Sequence, residues 1–182
     1  MKNNKILQII IIFFSGILFF TSLIAEEIKI DSSELNILEG GKILEGKNGF
    51  KSYTDTGLEI IGEQFKYNKN KNTLVANGNV IINDIENSLT IESNKIKYFK
   101  NDEKLILQGV TYITISNEYF IKSEDVVYEK KNYLIFSNNQ TILNDLSENK
   151  INLGKFNFNT NNKIISGEQV AVIDKENSKY LF

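Results

Sequence analysis

The chain has 182 residues, with 21 lysines against 23 acidic side chains, a net charge of −2, and no His, Cys, Pro, Trp or Arg. This removes the usual general base, the thiol nucleophile, the preferred zinc ligands, the guanidinium fork and any disulfide framework. The slightly acidic balance argues against a nucleic-acid partner, so the expectation is a non-enzymatic protein without cofactor or metal, held together by its core.

At the N-terminus, Lys2 and Lys5 precede the apolar run Ile6 to Phe20, and smaller side chains from Thr21 to Ala25 lead to Glu26 and Glu27. This order of properties predicts a signal peptide over residues 1–25. The alternative is an N-terminal membrane anchor, because the 19 residues Ile6 to Ile24 approach the roughly 20 that a spanning helix needs. Either way, residues 26–182 are expected as one domain across the inner membrane, with net charge −4 once Lys2 and Lys5 are removed.

From Ile28 onward the chain repeats. Aligning Ser32, Gly62, Ser93, Ser123 and Leu153 gives spacings of 30, 31, 30 and 30 without a gap. Two residues before each anchor stand Ile30, Ile60, Ile91, Ile121 and Ile151. Three after stand Leu35, Phe65, Ile96, Val126 and Phe156, and five after stand Ile37, Tyr67, Tyr98, Tyr128 and Phe158. Later columns hold Leu44, Leu74, Leu105, Ile135 and Ile165, then Asn48, Gly78, Gly109, Asn139 and Gln169. Apolar residues alternating with Lys66, Lys97 and Asn157 have the period of strands. Polar stretches such as Asn68 to Asn72 and Lys100 to Lys104, and Gly40-Gly41 in the first unit, supply turns. Five strand-turn-strand units therefore predict about ten strands in one all-β domain.

The apolar positions change parity at each anchor: Ile60 is even, whereas Phe65 and Tyr67 are odd. A straight strand would send these groups to opposite faces, so a bulge or bend is expected at Ser32, Gly62, Ser93 and Ser123, and less securely at Leu153. Strands bent at the same place in every unit build two sheets joined at shared corners. Ten residues are then interior: Leu35, Ile37, Phe65, Tyr67, Ile96, Tyr98, Val126, Tyr128, Phe156 and Phe158. They suit either a plain core or a groove for an acyl chain. The lysines around Lys66 to Lys100, mixed with Glu63, Asp102 and Glu103, read as a solvated face, and Asn139-Gln140-Thr141 as turn residues.

The array should leave an unpaired edge at each end. Ile28 and Ile30 mark the first strand, Val170 and Val172 the last, and no Pro blunts either. Strand addition by another jellyroll is expected there, unless the tail Lys175 to Phe182 covers the C-terminal edge. The alternative function is a structural β-repeat module that binds proteins and has no lipid groove. A polysaccharide-processing enzyme is a third possibility, for which Glu92 and Glu124 are the only acidic pair to nominate.

Two runs carry a family resemblance, Ile91-Glu92-Ser93-Asn94-Lys95-Ile96-Lys97-Tyr98 and Thr73-Leu74-Val75-Ala76-Asn77-Gly78-Asn79-Val80. With five units in register over about residues 28–175, the chain resembles the OstA-like family of lipopolysaccharide-transport proteins, whose members include LptA, LptC and the N-terminal domain of LptD. The opening Ile37 to Gly46 followed by Asn48-Gly49 is most similar to the start of LptD-type domains. The last unit departs from the pattern, with Leu153-Gly154 and Gly167-Glu168-Gln169. The resemblance implies a twisted, half-open β-jellyroll that holds the acyl chains of lipid A, joins other OstA-like jellyrolls end to end, and serves an outer-membrane translocon from the periplasm. Two forms stay open, the front part of a longer protein and a stand-alone bridge.

Overall fold

The computed structural model describes residues 28–147, 149–173 and 179–181, so the expected signal peptide or anchor lies outside the described residues. The described chain runs as ten arms. β1 (Lys29–Leu38) returns as β2 (Ile43–Tyr53); β3 (Leu58–Gly62) and β4 (Gln64–Asn68) return as β5 (Thr73–Asp84); β6 (Leu89–Phe99) returns as β7 (Lys104–Ile115). Next, β8 (Tyr119–Glu124) and β9 (Val127–Glu129) return as β10 (Leu134–Ser137) and β11 (Thr141–Asp145); β12 (Lys150–Leu153) and β13 (Lys155–Asn159) return as β14 (Ile164–Glu168) and β15 (Ala171–Ile173); β16 (Lys179–Leu181) follows. Helical geometry among the described residues is limited to three single turns, Glu39–Gly41, Lys100–Asp102 and Lys130–Asn132.

Every arm crosses from one sheet to the other. The first sheet has the order β1-β2-β3-β5-β6-β7-β8-β11-β12-β15-β16, and the second uses the other halves of the long strands with β4, β9, β10, β13 and β14; all pairings are antiparallel. This is a two-sheet β-jellyroll with shared corners, as the parity change required. Register slips between Ser32 and Glu34, Asn77 and Val80, and Ser93 and Lys95. At Glu63, before Val127 and at Gly154 the strand breaks outright. The fifth corner therefore forms despite Leu153, whose buried side chain turns inward while Gly154 N–H donates to Glu168 O at 2.8 Å.

Corner chemistry explains two of the columns. On four of the five return arms, all but the one at Asn139, the bend uses a left-handed residue, found at Asn48 (φ 64°), Gly78 (77°), Gly109 (79°) and Gln169 (54°); glycine and asparagine take that conformation at least cost. The small hydroxyls at the bends satisfy carbonyls that the broken ladder leaves free. Ser32 Oγ donates to Glu34 O at 2.8 Å, Ser137 Oγ to Glu124 O at 2.6 Å and Thr141 Oγ1 to Asn139 O at 3.1 Å.

The turns of the second sheet are stitched to one another. Lys69 N–H donates to Lys42 O at 2.9 Å, Lys100 to Asn72 O at 2.9 Å, Lys130 to Glu103 O at 3.0 Å and Thr160 to Tyr133 O at 2.8 Å. The accepting residues Asn72, Glu103 and Tyr133 all have positive φ, which turns each carbonyl toward the next unit.

Two of the rows of side chains between the sheets can be followed along the whole array. Across the first sheet the register links Ile30, Ser52, Ile60, Ile82, Ile91, Ile113, Ile121, Leu143, Ile151 and Val172. Across the second it links Ile37, Leu44, Tyr67, Leu74, Tyr98, Leu105, Tyr128, Ile135, Phe158 and Ile165, aromatic against aliphatic in alternation from Tyr67 onward. Such cross-strand pairs are the elementary stabilising contact of a sheet.

Candidate functional site: an apolar trough with an open end

Eight of the ten residues expected inside are buried: Phe65, Tyr67, Ile96, Tyr98, Val126, Tyr128, Phe156 and Phe158. Leu35 and Ile37 share their face of the second sheet but are 50% and 63% exposed, because among the described residues β1 pairs with β2 alone and ends the array. The middle of the trough is closed: Leu74, Ile82, Ile91, Ile96, Tyr98, Leu105 and Tyr128 are sealed from solvent. The ring of Phe65 lies over Gly46, where even a Cβ would meet it, and packs against Phe50 with centroids 5.0 Å apart.

Toward the C-terminus the sheets part. A cavity of about 560 Å³ opens between β11, β12, β14 and β15, lined mainly by Leu143, Ile151, Leu153, Ile165, Val170 and Val172. Gly167, where three earlier units carry Ala76, Leu107 or Ser137, lets Leu153 pack directly on its backbone, since a Cβ there would meet Leu153 and Lys155 O at 2.7 Å. Of these residues, only Val170 and Val172 were singled out from sequence as functional, and then as edge residues. Ile151 and Ile165 belong to recurrent columns, so membership of the last unit was the signal that could have found them.

Charge is concentrated where the turns of the two sheets meet, opposite the corners. The Asp84 carboxylate, sealed from solvent, accepts from Tyr128 Oη at 2.5 Å, from Asn87 Nδ2 at 2.8 Å and from Lys130 Nζ at 2.9 and 3.1 Å. Lys130 also reaches Glu86 at 3.0 Å, and Lys163 Nζ donates to Asn87 O at 2.9 Å. Burial pushes the Asp84 carboxyl up, but donors from Tyr128, Asn87 and Lys130 outweigh it and hold it below its ordinary range. Burial likewise works against the Lys130 charge, and the two carboxylates overcome it, so its pKa is raised. The Tyr128 hydroxyl is driven upward by burial and by its bond to Asp84, and stays protonated. A more exposed pair, Lys100 with Asp55 at 3.4 Å, repeats the arrangement one unit earlier. None of these acids was singled out from sequence, and Asp84 belongs to no recurrent column.

The edges differ from expectation at one end. Ile30 lies in β1, which among the described residues pairs only with β2, and Ile28 is buried just before it. Val172, however, is no edge residue: β15 is paired with β12 on one side and with β16 on the other, so the tail covers the first sheet. Val170 precedes β15 and lines the cavity. Among the described residues, the C-terminal strand that pairs on one side only is β14 of the second sheet, with β13. Glu92 and Glu124 are both exposed on the outer face and separated by β7, Glu92 opposite Tyr112 and Glu124 opposite Val110. They do not converge on a common point.

Fold and site thus define a two-sheet jellyroll enclosing an apolar trough, open at its C-terminal end. No protein-family model matches the chain. No curated protein matches it. Among solved structures it is similar to LptH of Pseudomonas aeruginosa, described as the LptA homologous periplasmic component of the conserved lipopolysaccharide transport device. The identity is 12% and the TM-score 0.47, over 79% of this chain and 82% of that one.

Proposed function

We propose that this chain is a non-enzymatic, periplasmic carrier and bridge domain of the OstA-like type, which shields lipid A acyl chains of lipopolysaccharide on their way to the outer membrane. The observation that carries this reading is the continuous apolar interior, which ends in the cavity lined by Leu143, Ile151, Ile165 and Val170. Burying each methylene of an acyl chain contributes about 0.8 kcal/mol, so affinity needs no charged pocket. The expected test result is that a photocrosslinking residue at Val170 or Val172 captures lipopolysaccharide in cells while one at outward-facing Lys97 or Glu92 does not. Equal labelling inside and outside would sink the reading.

End-to-end bridging is the second part of the proposal. β1 and β14 offer free main-chain groups to another OstA-like jellyroll, including one at an outer-membrane translocon. Ile30→Pro removes one donor from the β1 edge; retained partner capture by a folded variant would exclude pairing at that edge. Residues 1–25 are proposed as the export signal, so N-terminal sequencing of the exported protein should begin at Glu26. The rival reading, a closed protein-binding module, is favoured by the sealed middle around Leu105 and Tyr98. It predicts no lipid capture at any interior position.

A further inference from the structure

The side of the trough opposite the corners is held shut in its middle by polar groups, although the side chains beneath are apolar. Tyr128 stands in the interior row of the second sheet, beside Leu105, and its hydroxyl crosses to Asp84 in the first sheet. Lys130, with 7% of its side chain exposed, reaches the same carboxylate from the turn after β9 and also holds Glu86. Asn87 completes the group, donating its backbone N–H to Asp84 Oδ1 at 3.2 Å and its amide to Tyr128 Oη at 3.2 Å. Partners 41 to 46 residues apart in sequence are thereby joined.

A buried ion pair is seldom the most stable way to close a seam, because well-packed apolar groups of similar volume often do as well or better. The two closures differ in what happens when the seam parts. Isoleucine or leucine forced apart would face water, whereas the ammonium, carboxylates and phenol regain hydration that offsets much of the lost contact. A polar seam over an apolar trough therefore suits a contact that opens and recloses. Beside the C-terminal cavity the link between the sheets is lighter: Lys163, which lines the cavity, donates to Asn87 O at 2.9 Å without a carboxylate partner in that bond.

We infer that Asp84, Tyr128, Lys130 and Glu86 form a reversible clasp between the two sheets, and that its parting admits an acyl chain sideways into the middle of the trough. This rests on the carrier reading and adds its regulation: the end cavity is the standing site, and the middle is reached only when the clasp opens.

The test places a photocrosslinking residue in the full chain, in cells, at Tyr98, two strands from Tyr128 in the same interior row, or at Val170 in the cavity, with and without Lys130→Met. Unpairing a buried charge shifts an opening equilibrium strongly, so lipopolysaccharide capture at Tyr98 should rise roughly ten-fold or more, while capture at Val170 stays unchanged. Tyr128→Phe, which keeps the ring and the ion pair, should raise Tyr98 capture less and in the same direction; it decides the matter if Lys130→Met fails to fold. Capture at Val170 with no rise at Tyr98 in either folded variant overturns the clasp and leaves the carrier intact. Capture at neither position in any variant overturns the carrier reading, and the clasp with it.

Discussion

The middle of the trough and its C-terminal end are built from the same unit, yet one is packed shut and the other holds a cavity. In the middle, Tyr98, Leu105 and Tyr128 have a neighbouring unit on each side and a polar seam that holds the sheets together. At the end, Ile151, Ile165, Val170 and Val172 have neighbours on one side in the second sheet and only β16 beyond β15 in the first. The difference teaches that column chemistry sets which face a residue takes, while closure depends on position in the array and on a few groups outside the repeat.

The largest expected effect breaks the closed half. Lys130→Met leaves Asp84 buried and unpaired and should cost about 3–5 kcal/mol in urea unfolding. Asp84→Leu combined with Lys130→Met should recover much of that loss, since it is the lone charge that is costly. Acid should reach the same point by titration. Because folding lowers the Asp84 pKa from its ordinary 3.8, its contribution is full above that value and disappears as the pH falls through the lower folded one. Lys130 is shifted upward from 10.5, so its contribution is full below that value and is lost only as pH rises past it. Between those limits the stability gap between wild type and Asp84→Asn should be flat with pH. The carboxylate of Glu86 and the ammonium of Lys163 face the same cluster and belong in any fit of that profile.

Next in size is a direct contrast between the two regions. Leu105→Ala should cost about 2–5 kcal/mol because the sealed middle cannot collapse around the lost atoms. Ile165→Ala, beside existing space, should cost about 1 kcal/mol or less by the same measurement. Equal losses would mean that the end is as tightly packed as the middle.

Much of this was legible beforehand, and the parity shift at the anchors was the most informative sign. It required a bend at Ser93, and the ladder slips between Ser93 and Lys95. The glycines at Gly78 and Gly109 marked the second strand of each unit, and their function there is the left-handed bend. Exposure of Leu35 and Ile37 was not legible, because a repeat pattern treats the first unit like the others although β1 pairs with β2 alone among the described residues. Asp84 escaped for another reason: its partners come from a distant unit through the stacking of the sheets, and no local spacing encodes that contact. The tail was read as one of two options, and β16 pairs with β15 as the covering alternative anticipated.

Two smaller effects sharpen the comparison. Gly109→Ala has open space around its new Cβ but a φ of +79°, so backbone strain alone should cost about 1–2 kcal/mol without changing ligand uptake. Val170→Phe should change stability by less than about 1 kcal/mol. It fills the cavity, so it should abolish displacement of a bound apolar fluorophore by lipopolysaccharide.

The hydrogen bonds that link each second-sheet turn to the one before it make the protein a ruler. Each of the first four units hands one carbonyl forward, as Asn72 does to Lys100 and Glu103 to Lys130, and each of the last four takes one from behind. Each unit also adds two strands to a sheet, an advance of about 10 Å at the usual strand spacing. The span of the trough therefore grows or shrinks only in whole units. Cutting out one 30-residue unit between equivalent points would leave every donor with an acceptor, whereas losing fifteen would leave a turn facing a corner.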